Sequence, residues 1–409
     1  MSDSFPIDEV RAHFPALKRL YHGQRVAYFD GPGGSQVAQS AIDAMTSYMA
    51  RGGANLHGVF PTSVETEATI ADAKTKLAAF LHTQPSEIAF GANMTTLTFA
   101  IARALARTWD AQTEIVVTEL DHRANVDPWL TAARDRGAKP VWLRVNEESL
   151  ALDLDRLDEA ITPRTRVVAV GLASNAVGTI TDVRRIAQRA HEVGALVVVD
   201  AVHAVPHFSV DREILDADIL LCSTYKFFGP HVGVAAIREA LFAQIDVYKL
   251  DPAPTYDPDK LETGTQNHEG IAGIGGALDF LASLGDGTTL REKMISAMKR
   301  IEAYEDSLAR HMRAGLQAIR GVRLFSAEEG IPKTPTLAIT VDGKNARAVC
   351  EQVVETASVF VADGHFYAST LADRLGVNAC GGFVRAGIAP YNTQEEVDRY
   401  LNALERIAR

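Results

Sequence analysis

The chain has 409 residues, enough for a large core and for two lobes, since one hydrophobic core seldom grows beyond about 250–300 residues. It is 47% hydrophobic and 23% charged, which is typical of a globular protein. The formal net charge of -11 argues against nucleic acid and anionic membranes as partners, because both bind basic surfaces. No run of residues approaches the roughly 18–20 apolar positions that a membrane span needs.

The N-terminus and the cysteines indicate the compartment. Met1–Asp8 carries two acids and no basic residue, which is not the pattern of a signal peptide. The three cysteines, Cys222, Cys350 and Cys380, lie far apart and form neither a disulfide framework nor a zinc pattern. We therefore expect a protein of the reducing cytoplasm without a metal site.

Short apolar runs alternate with helical patterns along the first 280 residues. The runs predict strands at Ile88–Phe90, Glu114–Thr118, Lys139–Arg144, Arg166–Leu172, Leu196–Asp200 and Ile219–Ser223. Apolar residues that recur every three or four positions predict helices at Asp127–Arg136, Asp153–Ala160 and Val183–Val193. Several runs are apolar without alternation, which fits strands covered on both faces, as in a parallel sheet wrapped by helices.

The pattern changes after about residue 280. It predicts helices at Thr289–Arg320, at Ala346–Ala357 and from Thr393 onward, and strands at Thr336–Val341, Val359–Val361 and Val384–Ala389. Thr393 precedes two glutamates and is typical of a helix cap. We expect a large α/β domain over residues 21–280 and a smaller α+β domain over 281–409. The first 20 residues are expected to pack on the smaller domain or on a partner subunit.

An acid and a lysine follow two neighbouring predicted strands. Leu196–Asp200 ends in a carboxylate, His203 comes three residues later, and Lys226 follows the next strand. Ligands of α/β sheets collect at the carboxyl ends of strands. Such a pair is by default a strand cap and a solvated lysine. It is also what pyridoxal phosphate (PLP) requires: the lysine forms a Schiff base with the aldehyde, and the acid keeps the ring nitrogen protonated so that the ring accepts electrons from a Cα carbanion.

Seven motifs around Lys226 carry a family resemblance. They are Tyr28–Gln36 (YFDGPGGSQ), Asn55–His57 (NLH), Asp121–Trp129 (DHRANVDPW), Ser174–Thr179 (SNAVGT), Asp200–His207 (DAVHAVPH), Ser223–Lys226 (STYK) and Glu262–Thr265 (ETGT). From about Val26 to Tyr400 the chain resembles the class V aminotransferase family of PLP enzymes, most of all SUF-type cysteine desulfurases and selenocysteine lyases. The resemblance implies PLP fold type I, an α/β fold with a mostly parallel sheet, helices on both faces and a smaller C-terminal α+β domain.

The resemblance also implies roles for the matching residues. Lys226 and His122 are expected to be catalytic, Lys226 by Schiff-base exchange and Cα deprotonation, and His122 by stacking on the ring and moving protons. Cofactor contacts are expected from both of these residues and from Thr95, Thr96, Asn175, Asp200, His203, Ser223, Tyr225 and Thr265. In this family the threonine that Thr265 matches reaches the phosphate from the other subunit, which implies a homodimer.

The substrate side of the site is implied by a late arginine. Arg385 matches the family's arginine for the substrate α-carboxylate, and a guanidinium binds a carboxylate with two parallel hydrogen bonds. Asn175, His57, His365 and Tyr367 are expected beside the substrate. The partner is thus expected to be a small amino acid.

The resemblance fails at the desulfurase nucleophile. The SUF-type loop reads R-x-G-H-H-C-A, whereas VADGHFYA over Val361–Ala368 puts Tyr367 at the cysteine position, and tyrosine cannot carry a persulfide. We therefore expect a PLP-dependent enzyme that acts by β-elimination, as a C–S lyase does. The alternatives left open are an aminotransferase, an amino-acid epimerase, a desulfurase using a non-standard cysteine such as Cys380, and a PLP-binding pseudoenzyme.

Overall fold

The computed structural model of the chain describes residues 5–409, so the first four residues of the Met1–Asp8 segment lie outside it. The strands are β1 Leu20–Tyr21, β2 Gln24–Arg25, β3 Ala27–Tyr28, β4 Ile88–Gly91, β5 Glu114–Thr118, β6 Lys139–Leu143, β7 Val145–Asn146, β8 Ala151–Leu152, β9 Thr165–Gly171, β10 Leu196–Asp200, β11 Ile219–Ser223, β12 Gly233–Ile237, β13 Val322–Phe325, β14 Thr336–Val341, β15 Val359–Phe360, β16 Ala362–Gly364 and β17 Phe383–Gly387.

The α-helices alternate with these strands. They are α1 Ile7–Ala12, α2 Gln39–Arg51, α3 Pro61–Leu81, α4 Met94–Leu105, α5 Asp127–Arg136, α6 Leu157–Ala160, α7 Val183–Glu192, α8 Arg212–Leu215, α9 Glu239–Phe242, α10 His268–Ser283, α11 Leu290–Ala318, α12 Ala346–Ala357, α13 Ser369–Arg374 and α14 Gln394–Ala408. No helix within residues 5–409 is long and apolar enough to cross a membrane.

A seven-stranded sheet, here called the large sheet, has the strand order β4-β12-β11-β10-β9-β5-β6. Strand β12 runs antiparallel to β11 and β4, and the other neighbours pair in parallel. The parallel strands therefore end at one edge of the sheet, where ligands of α/β folds bind. The predicted mostly parallel sheet is confirmed.

Alternate residues of the large sheet enter two different cores. Val116 of β5 packs in a core with Leu77, Ile186 and Ile274 of α3, α7 and α10, whereas Val117 packs in a second core with residues of α4 and α5, Trp129 among them. Side chains of successive strand residues point to opposite faces, so helices cover both faces. This explains why the strands are continuously apolar in sequence.

A four-stranded antiparallel sheet, here called the small sheet, has the order β13-β14-β17-β16. Its core is shared with α11, α12 and α14. The expected cap is present, because the Thr393 hydroxyl accepts a hydrogen bond from the Glu396 N–H at the start of α14. The N-terminal segment contacts both parts of the molecule: Phe14 packs on Phe228 and Phe280 and on Tyr391.

One element prediction fails where a local polar bond competes with a helix. The strands Glu114–Thr118, Leu196–Asp200 and Ile219–Ser223 are confirmed residue for residue. The helix predicted at Asp153–Ala160 is wrong in its first half, since α6 begins at Leu157. The Asp153 carboxylate accepts a hydrogen bond from the Asp155 N–H at 3.2 Å, which stabilises a turn instead. The domain boundary at residue 280 stays a prediction.

Two adjacent glycines of α10 differ in what faces them. A Cβ on Gly276 would lie 2.3 Å from the Ser40 carbonyl oxygen and 2.9 Å from the Ala41 Cα of α2. A Cβ on Gly275 would meet only the ends of the Asp72 and Lys76 side chains, at 3.3 and 3.8 Å. Gly276 therefore allows α2 and α10 to pack backbone to backbone.

We predict that Gly276→Ala lowers the free energy of unfolding by about 1–3 kcal/mol, because the methyl group forces the two helices apart. Gly275→Ala is the matched control, and it should be neutral or stabilise the protein by up to about 1 kcal/mol, since alanine favours a helix interior. Urea unfolding followed by circular dichroism measures both. Equal effects of the two substitutions would contradict the close-packing explanation.

Candidate active site

A cavity of about 1250 Å³ lies at the carboxyl edge of the large sheet and beneath one edge of the small sheet. Most of the residues predicted for the site line it: Thr95, Thr96, His122, Asn175, Asp200, His203, Ser223, Tyr225, Lys226, His365, Tyr367 and Arg385. His57 and Thr265 do not. Segments separated by up to about 290 positions in the chain thus meet at one place.

Lys226 stands in a short turn directly after β11 and is only 8% exposed. Its Nζ donates a hydrogen bond to the Pro32 carbonyl oxygen. Burial and the nearby Arg385 charge lower the pKa of Lys226 to about 7, although Asp200 and Asp30 oppose the shift. An amine with this pKa is partly unprotonated at neutral pH and can act as a nucleophile.

Asp200 ends β10, the strand next to β11. Burial raises its pKa to about 7, and the nearby Asp121 charge adds to the rise. One oxygen of Asp200 accepts a hydrogen bond from the Val202 N–H at 2.9 Å. A cation against this carboxyl would favour its ionised form, because an opposite charge offsets the cost of burial.

Asp121 is a second buried carboxyl in the cavity wall. It accepts hydrogen bonds from the Gly171 N–H at 2.8 Å and from the Asn125 amide at 2.9 Å, and burial raises its pKa to about 6. These bonds tie the segment after β5 to the end of β9. Asp121 thereby fixes the position of the following residue, His122.

The His122 ring is held in one tautomer. Its Nδ1 accepts a hydrogen bond from the Ala124 N–H at 3.0 Å, so the neutral ring carries its proton on Nε2. Burial and the charges of Lys226 and Arg385 lower the pKa of His122 to about 4. The ring is therefore neutral at pH 7, with one N–H available as a donor.

The N-terminus of α4 forms another wall. Asn93 caps the helix by accepting the Thr96 N–H at 2.9 Å, and the Thr96 hydroxyl donates to the Asn93 carbonyl oxygen at 2.8 Å. The Ser223 hydroxyl accepts the Met94 N–H at 3.0 Å. Helix N-termini with free N–H groups bind anions, and Thr95, Thr96 and Ser223 add hydroxyls to this wall.

Two aromatic residues complete this side of the cavity. Tyr225 stacks on His231 with ring centroids 4.7 Å apart and planes 9° apart. His203 turns its Nε2 toward the hydroxyls of Thr336 and Thr334, at 2.9 and 3.2 Å. His203 therefore connects the cavity to the segment that leads into the small sheet.

Arg385, in the middle of β17, is the cation that the small sheet contributes, and it is only 3% exposed. It donates to the Asn175 carbonyl oxygen at 2.7 Å and stacks on the Phe366 ring at 3.7 Å. Among the described residues, its buried Nε and the Oδ1 of Asn175 have no hydrogen-bond partner. Burial lowers the pKa of Arg385 to about 9, and Asp30 opposes the shift. A carboxylate in the plane of the guanidinium would satisfy the free N–H.

The loop over the cavity mouth has an unusual backbone. Gly364, Phe366 and Tyr367 have φ values of 120°, 53° and 59°, in the region that side chains disfavour. Asn175 stabilises the loop by donating to the Phe366 carbonyl oxygen at 2.8 Å, and the Arg123 N–H donates to that of Tyr367 at 2.8 Å. The Tyr367 side chain is 66% exposed, and its ring centroid lies 5.3 Å from that of His122.

The three cysteines lie outside the cavity lining. Cys222 is buried on β11 and Cys350 is buried on α12; burial raises the pKa of the Cys222 thiol, and raises that of Cys350 to about 12. Cys380 is partly exposed and donates to the Val377 carbonyl oxygen at 3.1 Å. Burial favours the neutral thiol over the thiolate, and a cysteine in the thiol form is a poor nucleophile.

Two predicted site residues, His57 and Thr265, lie outside the cavity. His57 is exposed and its backbone N–H donates to Glu67 at 2.7 Å. Thr265 is exposed in a neighbouring cleft of about 540 Å³ that shares Thr96 and His231 with the main cavity. The Tyr48 and His268 rings, 6.5 Å apart, bring the two chain segments together.

Sequence reasoning did not single out Asp121, His231 and Phe366, which line the cavity, or Asp30, whose charge acts on Lys226 and Arg385. Asp30 and Asp121 belong to motifs that carried the resemblance, so their position in a motif was the available signal. His231 and Phe366 are contact residues whose importance depends on a stacking partner in the fold. No local pattern in the sequence marks them.

Comparison with known proteins gives consistent results. The class-V aminotransferase family model matches residues 27–400. A cysteine desulfurase of Enterobacter sp. (strain 638) is 31% identical, covering 99% of this chain and 98% of its own, and a probable cysteine desulfurase of Streptomyces coelicolor is 31% identical, covering 98% and 96%.

Solved structures agree with the sequence matches. The apo cysteine desulfurase from Thermococcus onnurineus NA1 superposes with a TM-score of 0.89 at 26% identity, covering 100% of this chain and 99% of its own. The Escherichia coli cysteine desulfurase CsdA, in its S-sulfonic acid form, gives 0.85 at 28% identity, covering 99% and 98%. Since one family model spans nearly the whole chain and the fold matches along its full length, this chain belongs to the class-V aminotransferase family.

Proposed function

We propose that the chain is a PLP-dependent lyase that removes the sulfur of a cysteine-like amino acid by β-elimination. The proposal is supported chiefly by one arrangement: Lys226, Asp200 and Arg385 meet in a single cavity whose mouth carries Tyr367 instead of a thiol. Class-V aminotransferases and cysteine desulfurases are PLP enzymes, so a cofactor of this kind is expected here.

The residues fit the cofactor. The buried amine of Lys226 has a lowered pKa that suits attachment to the aldehyde carbon, and the buried Asp200 carboxyl suits a cationic ring nitrogen. The phosphate would be held by the N-terminus of α4 with Thr95, Thr96 and Ser223. The face of the His122 ring would cover the cofactor ring.

When bound, the cofactor supplies an acceptor for the electron pair that a Cα proton leaves behind. Lys226 is the base that we assign to this proton, because it is buried and uncharged at neutral pH more readily than an ordinary lysine. His122 carries its proton on Nε2 and can donate a hydrogen bond into the cavity.

The substrate would be oriented by its α-carboxylate. Within residues 5–409, Arg385 has a buried N–H without a partner, and it is held by the Asn175 carbonyl oxygen and the Phe366 ring, so a carboxylate there would find a pre-positioned donor. We propose that the substrate side chain then points toward the mouth. Tyr367 and His365 are the proton-bearing side chains that the mouth loop offers to a leaving group.

The overall reaction balances as cysteine plus water giving pyruvate, ammonia and hydrogen sulfide. The Cα–H and Cβ–S bonds break, the sulfur leaves with the Cβ–S electron pair and takes up a proton, and water hydrolyses the resulting enamine and imine. A desulfurase would instead keep the sulfur on a cysteine and release alanine. None of Cys222, Cys350 and Cys380 lies in the cavity lining, which favours elimination.

The products of the reaction with L-cysteine distinguish elimination from desulfuration. Cofactor-loaded protein given L-cysteine should release pyruvate, ammonia and sulfide in equal amounts, and Lys226→Ala should lower the rate at least about a hundredfold, the lower range for a positioned acid–base group. Tyr367→Cys should divert part of the flux to alanine and protein-bound sulfur, because it introduces a thiol at the mouth.

Coupled assays for each product and mass spectrometry of the protein measure these outcomes. Alanine and protein-bound sulfur from the unsubstituted protein would identify a desulfurase and contradict the proposal. Loss of optical purity without products would indicate an epimerase, and conversion of the cofactor to its amino form would indicate an aminotransferase. A spectrum that stays unchanged with all natural amino acids would indicate a pseudoenzyme.

The rate of cofactor capture is expected to depend on pH. Because the pKa of Lys226 lies near 7, the rate at which cofactor-free protein captures PLP should rise with pH through a midpoint near 7, as the amine loses its proton. Arg385→Gln removes a positive charge that lowers this pKa, so the midpoint should move to higher pH. Arg123→Gln, which changes a cation engaged with Asp127, is the control and should leave the midpoint in place. Stopped-flow absorbance measures the rate, and an unmoved midpoint in Arg385→Gln would contradict the assignment.

We also propose a homodimer in which Thr265 reaches the partner's phosphate site. Four exposed apolar residues, Met49, Val59, Phe60 and Val64, lie on the segment of residues 48–64, which contacts the segment after Thr265 through the Tyr48 and His268 rings. Contiguous apolar patches mark protein interfaces. The same contact would bring His57 toward the partner's cavity mouth.

Mixing of variant subunits tests whether Thr265 acts across the proposed dimer. Thr265→Ala should weaken cofactor affinity about tenfold, the value of one hydrogen bond to a charged group. Heterodimers of Lys226→Ala and Thr265→Ala subunits should regain normal affinity at one of their two sites, because the intact Lys226 then faces an intact Thr265. Light scattering gives the oligomeric state. If mixing restores nothing, Thr265 acts within its own subunit.

A further inference from the structure

A second cavity, of about 810 Å³, lies on the far side of His203 from the active site. It is formed by α11, the loop of residues 326–335 and the His207–Phe208 segment. Its volume is within the range of small-molecule sites, about 300–1,000 Å³. The proposed function uses none of its charged residues.

The floor of this cavity is a buried acid and imidazole. Glu305 is 1% exposed, and its Oε2 lies 2.9 Å from Nδ1 of His207, which is also buried. Burial raises the pKa of Glu305 well above its usual value and lowers that of His207 to about 3, so the pair is neutral. Within residues 5–409 the other Glu305 oxygen, Oε1, is buried and has no hydrogen-bond partner. A ligand with an N–H or O–H would satisfy it.

Two cations line the wall of the cavity. Arg313 donates to the Thr334 carbonyl oxygen at 2.9 Å, and burial lowers its pKa. Lys333 donates to the Glu328 and Ile331 carbonyl oxygens, and its pKa is lowered by burial first and by the Arg313 charge second. The Asp306 charge opposes the fall of both pKa values, and the Glu329 charge opposes that of Lys333. The two cations still repel each other, which favours binding of a further anion near them.

The other charged residues in the lining either form an ion pair or are more exposed to solvent. Arg310 pairs with Asp306 at 2.6 Å, and its side chain is 69% exposed. Lys299, Glu302 and Glu329 also face the cavity. Burial, with the Asp306 charge, raises the pKa of Glu302, and the Lys299 charge opposes the rise.

We propose that this cavity binds a small α-hydroxy or α-amino acid, with its carboxylate on Arg313 and Lys333 and its hydroxyl or amino group on Glu305. The site is separate from the one that holds the substrate by Arg385. It requires neither the cofactor nor the β-elimination.

The second site is connected to the active site through His203. The His207 ring packs on the His203 ring with centroids 5.3 Å apart, and the Thr334 hydroxyl lies 3.2 Å from His203 Nε2. Arg313, which would hold the ligand, also holds the Thr334 carbonyl. A ligand that moves Arg313 therefore acts on the residues that position His203 in the active cavity. Such coupling is reciprocal.

The test uses cofactor-free protein carrying Arg385→Gln, which removes the arginine proposed to bind the substrate carboxylate in the main cavity. L-Lactate and L-alanine are titrated separately by saturation-transfer NMR. Saturable binding of either probe is expected. Adding Arg313→Gln or Lys333→Gln should weaken it about tenfold or more. Arg310→Gln, which alters an exposed and paired cation of the same cavity, should leave it unchanged.

Two results would overturn the proposal: no saturable binding of either probe, or equal affinities in the Arg313→Gln, Lys333→Gln and Arg310→Gln proteins. Thermal melts show which variants are folded, and the two wall substitutions are independent, so one folded variant is enough for the comparison. Because no turnover is measured, failure here is distinct from failure of the proposed lyase activity.

Discussion

The burial of Lys226 next to charges that do not neutralise it is the constraint on which the site depends. A lysine removed from water and placed near Arg385 loses much of its preference for the ammonium form. The same burial raises the pKa of Asp200 and lowers that of His122. The cavity therefore holds groups whose charge states are set by low polarity and by each other, so that each responds to an incoming anion or cation.

This burial is possible because two sheets enclose the groups. The parallel strands of the large sheet end together and deliver Asp200 and Lys226 from neighbouring positions. The small sheet closes the opposite side with Arg385, and the segment from Asp30 to Gln36 lies between them, with Ser35 donating to the Tyr225 carbonyl oxygen at 3.1 Å. Neither sheet alone would exclude water from the amine.

Much of this arrangement could be predicted from sequence, for a physical reason. Continuous apolar runs identify parallel strands, and polar residues at their ends must share one edge, so Asp200 and Lys226 were expected to meet. The turn at Asp153 was not predicted. There the hydrogen bond from the Asp155 N–H to the Asp153 carboxylate competes with the helix that the apolar spacing indicates. Contacts between distant segments were not visible either: Glu305 and His207 are 98 positions apart, and each alone resembles an ordinary helix or loop residue.

Arg385 also has a mechanical significance. The Arg385 side chain extends from the small sheet, and its guanidinium donates a hydrogen bond to the Asn175 carbonyl oxygen. Asn175 belongs to the loop after β9 of the large sheet. Any carboxylate that it holds is consequently shared by both halves of the molecule and acts as a clamp across the cleft. Affinity for such an anion and stiffness of the cleft should then rise and fall together, and a compound without a carboxylate would add nothing to the Arg385–Asn175 bond that is already present.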